Sequence, residues 1–134
     1  MRNWLLALLI GLGICLGVSG TSQAQDEARI AGVLFRSTWC PPCHILEPRL
    51  NAAKRDYQGR IHFVRFDFSF RDEETLRDQA RAEGLVGVFN HYQNQLGVLV
   101  LMDRDSGQVL EVITARYSAE DIEDAFERAL AWQG

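Results

Sequence analysis

The 134-residue chain predicts an α/β domain of order β-α-β-α-β-β-α, with a mixed four-stranded sheet and helices on both of its faces. Three observations carry that expectation. Ile30 to Phe35 is a continuous apolar run, the pattern of a strand buried on both sides. A helical period over Ile45 to Tyr57 then gives way to aromatic and β-branched residues over Ile61 to Phe68. Finally, two apolar runs, Gly97 to Met102 and Gln108 to Ala115, are joined by Asp103 to Gly107, which is turn chemistry and reads as a hairpin. Two strands linked through a helix lie parallel with a right-handed crossover, whereas a hairpin adds antiparallel strands. The helices then cover both faces of the sheet.

Each element has its own warrant. In the first helix Ile45, Leu46, Leu50, Ala53 and Tyr57 fall at helical spacing. Pro42 stands at its start, where a missing N–H is harmless, while Pro48 lies inside it and predicts a kink. Gly59 is expected to end it. The second helix, over residues 72–83, opens on acidic residues, carries Leu76 and Ala80 as a thin apolar stripe, and has Gly84 as its C-cap. Leu85 to Phe89 fits either a short strand or a helical turn, and Asn90 to Gln95 is polar. Ser118 caps the last helix with Asp121 three residues on, a capping box. Ile122, Ala125, Phe126, Ala129 and Leu130 form its apolar face.

Composition bounds the function. The chain is long enough for one domain. Net charge is −4, and the basic residues, nearly all arginine, are scattered, so nothing forms the stripe that nucleic-acid binding needs. Arg2 precedes an apolar run from Trp4 to Val18, and Ser22-Gln23-Ala24 supplies small residues before Gln25. That layout predicts a secretory signal peptide over residues 1–24, cleaved after Ala24, and a domain over 25–134. The alternative is a membrane anchor over residues 4–18. Cys15 falls in the leader, which leaves the domain two cysteines, Cys40 and Cys43. In a Gram-negative cell the exported domain would be periplasmic, an oxidising compartment.

Cys40 and Cys43 stand where the first strand passes into the first helix. Helix N-termini favour negative charge, and a thiolate is the form of cysteine that attacks disulfides. A disulfide across so short a loop stabilises a fold little, so the pair reads as chemistry rather than as a staple. Other chemistries use the same residues. Cys40-Pro41-Pro42-Cys43-His44 also satisfies the c-type haem attachment pattern, with His44 as one candidate ligand and Met102 or another histidine as the second. Cys40 and Cys43 with His62 or His91 could carry copper or zinc. A binding module with residues 85–96 as its contact surface is a further alternative.

The order of elements together with Trp39-Cys40-Pro41-Pro42-Cys43 and Pro48 resembles the minimal thioredoxin fold. Val33-Leu34-Phe35 matches the family's central strand, and Arg65-Phe66-Asp67 resembles the end of the next one. With its leader, the chain is most similar to extracytoplasmic thioredoxin-like proteins, including the reductases of cytochrome c maturation. The resemblance implies thiol–disulfide exchange with protein substrates, Cys40 as exposed nucleophile and Cys43 as the more buried resolving cysteine. The direction of exchange is left open, with reduction favoured. No cofactor or metal is implied, a monomer is expected, and a membrane redox partner is an option. Trp39, Pro41 and Pro42 would shape the site, with His44 or Glu47 as candidate proton acceptors for Cys43. The chain departs from the family in three places. Leu96 or Gly97 stands where a cis-proline faces the disulfide, so the substrate loop is altered. Leu34 replaces the buried aspartate six residues before the first cysteine. The interval from Asp67 to Gly97 is long, and the usual N-terminal strand and helix are missing.

Overall fold

The computed structural model describes residues 28–134. The leader expected over residues 1–24 therefore lies outside the described residues, as does the alternative anchor over 4–18. The elements are β1 (Ile30–Arg36), α1 (Pro41–Ala53), β2 (Ile61–Asp67), α2 (Glu73–Glu83), α3 (Val86–Tyr92), β3 (Val98–Asp103), β4 (Val109–Thr114) and α4 (Ala119–Leu130). The sheet runs β2-β1-β3-β4. Its β1–β2 pair is parallel, Val33 opposite Val64, and its other two pairs are antiparallel. The expected thioredoxin fold is present.

Alternation along β1 builds two cores. Ile30 and Leu34 face α1 and α4, where Leu46, Leu50, Ile122 and Phe126 pack. Ala31, Val33 and Phe35 face α2 and α3. Every residue of β1 is buried, because it is flanked by strands on both edges and helices on both faces. On the α2/α3 side the Phe66 ring centroid lies 5.5 Å from that of Phe35 and 5.0 Å from that of Phe89. Such packed rings add about 0.5–1.5 kcal/mol per pair beyond the area they bury.

Local signals set the boundaries. Gly84 ends α2 at φ 69°, a left-handed position that glycine takes without a Cβ penalty. Ser118 and Asp121 close the capping box of α4 reciprocally. Leu85 to Phe89 proves helical rather than strand: Leu85 is the N-cap of α3 and Val86 to Phe89 its first turn, burying Val88 and Phe89 on one side while Gly87 faces open space. Two expectations for α1 are corrected. The α-helix ends at Ala53 and tightens into a 3₁₀ turn over Lys54–Tyr57, short of Gly59. Ile45 is 48% exposed, since the buried stripe runs Leu46, Leu50, Ala53, Tyr57 and Ile45 is turned roughly 100° from it. Among the described residues no helix is long and apolar enough to cross a membrane.

Candidate active site

β1 carries the chain to Arg36 at the end of the sheet, and Ser37 to Trp39 turn it into α1 with Cys40 as N-cap. Cys40 is extended (φ −98°, ψ 105°), which turns its side chain back over the first turn, where Sγ accepts the Cys43 N–H at 3.3 Å. Pro41 and Pro42 fill the first two helical positions, whose N–H groups a helix would leave without intrahelical partners. Cys40 and Cys43 are joined in a disulfide with Cα atoms 5.3 Å apart.

Cys43 is fully buried and Cys40 is 6% exposed. The order of accessibility is the expected one, but Cys40 is far less open than a residue at a helix terminus promises. Gly97 explains the difference. It sits over the disulfide at φ +84°, and a Cβ built there would lie 2.7 Å from Pro42 Cβ and 3.3 Å from Cys40 Sγ. Its N–H donates to the Phe35 carbonyl at 2.8 Å, which fixes the approach. Backbone thus faces the disulfide at the place where the fold family carries proline. Leu96, the other candidate for that place, packs against the α2/α3-side core.

The supporting residues separate on inspection. Trp39 is 68% exposed, so simple core packing is excluded; its ring meets that of Phe70 edge-on at 5.8 Å, and Phe70 is 87% exposed. His44 donates from Nε2 to the Thr38 carbonyl at 2.8 Å, which leaves Nδ1 as its accepting nitrogen. Glu47 is neither an ordinary surface residue nor a free base. Its Oε1 lies 2.9 Å from Nε of Arg36 and 3.7 Å from Nη2 of Arg65. Glu47 and Leu34 line one small cavity, so the carboxylate stands near the place where the family's buried acid is absent.

Several residues around the motif were not singled out by sequence. Arg36 is 8% exposed and its Nη1 donates to Asp67 Oδ2 at 2.6 Å. Asp67 Oδ1 accepts both the N–H and the hydroxyl of Ser69, at 3.0 and 2.6 Å. The Ser69 oxygen in turn meets the N–H and the hydroxyl of Thr38, at 2.7 and 2.8 Å. Because the single Ser69 proton is given to the carboxylate, Thr38 is the donor in both contacts. Burial pushes the Asp67 carboxyl up, but the bonds from Ser69 and Arg36 outweigh it and hold it below the ordinary value. Burial likewise opposes the charge on Arg36, and Asp67 with Glu47 restores it. The one available signal was an arginine closing an otherwise apolar strand.

The alternative chemistries gain no support. His62 is engaged with Glu83 at 2.9 Å, and the His91 ring lies against Tyr92 with centroids 4.6 Å apart. Among the described residues no three His, Cys, Asp or Glu side chains cluster as metal ligands would. Met102 pairs in register with Ala31, at the other end of β1 from the motif and about 15 Å along the strand. It cannot share an iron with His44.

Comparison with known proteins agrees with this geometry. The thioredoxin family model matches residues 21–84. NADPH-dependent thioredoxin reductase 3 of Arabidopsis thaliana is 35% identical over 63 residues, which are 47% of this chain and 11% of that protein. Thioredoxin H-type of Chlamydomonas reinhardtii is 30% identical over 46 residues, 34% of this chain and 41% of that protein. The matched stretches thus span less than half the length of either relative. Among solved structures, a thiol:disulfide interchange protein of the thioredoxin family from Chlorobium tepidum TLS superposes with a TM-score of 0.53 at 22% identity, covering 78% of this chain and 82% of that one. The chain therefore has the thioredoxin-like fold, with its Cys-x-x-Cys redox motif at Cys40 and Cys43 closed as a disulfide.

Proposed function

We propose that the protein is an exported thiol–disulfide oxidoreductase acting on protein disulfides in the reductive direction, with Cys40 as nucleophile and Cys43 as resolving cysteine. The observation that carries the roles of the two cysteines is the asymmetry of the pair: Cys40 keeps 6% exposure and its Sγ receives the Cys43 N–H at the start of a 13-residue helix, while Cys43 is fully buried. Backbone donors and the helix dipole stabilise a thiolate at Cys40 and lower its pKa.

In the reduced protein the Cys40 thiolate attacks one sulfur of a substrate disulfide, and the other sulfur leaves as a thiolate. Cys43 then loses its proton and attacks Cys40 Sγ, closing the disulfide and releasing the second substrate thiolate. Two electrons pass from the dithiol to the substrate, and a dithiol donor must return them; a membrane-bound redox protein would be one such donor. Glu47 Oε1 and Nδ1 of His44 are the acceptors within the first turns of α1 for the Cys43 proton. Gly97 faces the disulfide, and the Leu96–Gly97 backbone would lie along the substrate chain. The leader-like residues 1–24 support export, and in a Gram-negative cell the periplasm is the compartment.

Insulin reduction with dithiothreitol as donor tests this reading. Turnover is expected for the wild type and absent in Cys40→Ser. Equal rates for the two proteins would refute it.

A further inference from the structure

Beside the motif lies a cluster of four charges, of which disulfide exchange as described uses only Glu47. Arg36 closes β1, Asp67 closes β2, Arg65 precedes it by two residues, and Glu47 stands one turn beyond Cys43 on α1. A guanidinium buried to this extent persists only when its charge is met. Arg36 Nη1 donates to Asp67 directly, whereas Nε, 2.9 Å from Glu47 Oε1, makes no hydrogen bond of good geometry. The tie to Asp67 is thus directional and the tie to Glu47 is one of charge.

The cluster reaches the cysteines through the loop. From Asp67 the hydrogen bonds run through Ser69 to Thr38, and the Thr38 carbonyl is held from the other side by His44. Thr38 is two residues before Cys40. Arg36 therefore holds α1 by charge and the Cys40 loop by hydrogen bonds at the same time. We propose that Arg36 is a positioning residue that, with Glu47 as its counter-charge, sets the acidity of the active-site thiols and the redox potential of the Cys40–Cys43 couple. This rests on the oxidoreductase reading given above.

The signs follow from charge balance. Two guanidinium groups and two carboxylates cancel. Without the charge of Arg36 the cluster is net negative beside the helical turn that carries Cys43, which disfavours a thiolate. Without the charge of Glu47 it is net positive, which favours one. The other ionisable groups of this neighbourhood, His44 on α1, Lys54 at its C-cap, and Arg65 and Asp67 on β2, stay in place in both cases, and the Leu96–Val98 segment adds none. A thiolate-stabilised reduced form makes a dithiol more oxidising. A unit charge one to two helical turns from sulfur, in a medium of intermediate dielectric, changes the thiolate equilibrium on the order of threefold to tenfold.

The test equilibrates wild type, Arg36→Met, Arg36→Lys and Glu47→Gln in glutathione redox buffers, with the oxidised fraction read by thiol alkylation and thiol acidity by thiolate absorbance against pH. At fixed buffer potential the oxidised-to-reduced ratio is expected to rise about threefold to tenfold in Arg36→Met and to fall by a similar factor in Glu47→Gln, with thiol acidity moving in step. Arg36→Lys, which keeps the charge, should stay nearer to wild type than Arg36→Met. A loss of packing alone would not push the two variants in opposite directions. Shifts of the same sign, or shifts within twofold of wild type, would overturn the proposal. If Arg36→Met does not fold, Glu47→Gln decides alone by the sign of its shift. The readout needs no protein substrate, so failure to reduce insulin would refute the oxidoreductase reading and leave this result standing.

Discussion

Replacing Gly97 with alanine isolates the contact that covers the disulfide. Gly97 is at φ +84°, and in a left-handed conformation a Cβ costs roughly 1–2 kcal/mol. The new methyl group would also meet Pro42 Cβ at 2.7 Å and Cys40 Sγ at 3.3 Å. A proline ring at the head of a helix cannot swing aside, so backbone must move, at a typical overpacking cost of about 1–3 kcal/mol. The oxidised Gly97→Ala protein should therefore lose about 2–5 kcal/mol in urea unfolding. Gly107 supplies the control, since its φ is +74° and nothing lies within 4 Å of its virtual Cβ. Gly107→Ala should cost only the conformational part, about 1–2 kcal/mol. Equal losses in the two variants would show that no tight approach exists at Gly97, and the account of why Cys40 is so little exposed would fall with it.

Two further outcomes follow from the surroundings of the site. Phe70 is 87% exposed against Trp39, so Phe70→Ala should change stability by less than about 0.5 kcal/mol. If the ring pair guides protein substrates, the same variant raises KM severalfold for a protein disulfide and leaves turnover of glutathione disulfide unchanged; parallel loss on both substrates would contradict that role. At the far end of the sheet, Arg29, Ser106 and Trp132 all donate to the buried Asp103 carboxylate. The hydrogen bond from Arg29 leads the causes that hold this carboxyl well below its ordinary value, burial opposing it. The unfolded chain then binds the proton more readily than the folded one, so stability is full above the ordinary aspartate range and declines as pH falls through and below it. Unfolding midpoints measured across acid pH should show that decline in wild type and a flatter profile in Asp103→Asn; identical profiles would remove Asp103 as its source.

Much of this arrangement was legible because its signals are local. Cys40 and Cys43 share one turn, Ser118 and Asp121 form one capping box, and Gly84 marks its own helix end. The apolar run of β1 announced a central strand, since full burial on both faces leaves no polar alternation. What escaped depends on residues distant in the chain. Arg36 meets Glu47 and Asp67 from three different elements, and the only local sign of it is an arginine closing an otherwise apolar strand. The approach of Gly97 to Pro42 is likewise set by how β3 pairs with β1. Helix α3 was ambiguous because Val86, Val88 and Phe89 favour strands by propensity. Burial of Val88 and Phe89 against the Phe35 side of the sheet decides the matter.

The central claim is that Cys40 attacks and Cys43 resolves. The most direct measurement is covalent trapping: Cys43→Ser is expressed as the full 134-residue chain, free thiols are alkylated at harvest, and adducts are identified by mass spectrometry. The account predicts protein mixed disulfides at Cys40 that dithiothreitol releases, and few or none through Cys43 in Cys40→Ser, because Cys43 is fully buried. A folded Cys43→Ser protein that accumulates no adducts, or adducts that form chiefly through Cys43 in Cys40→Ser, would contradict it.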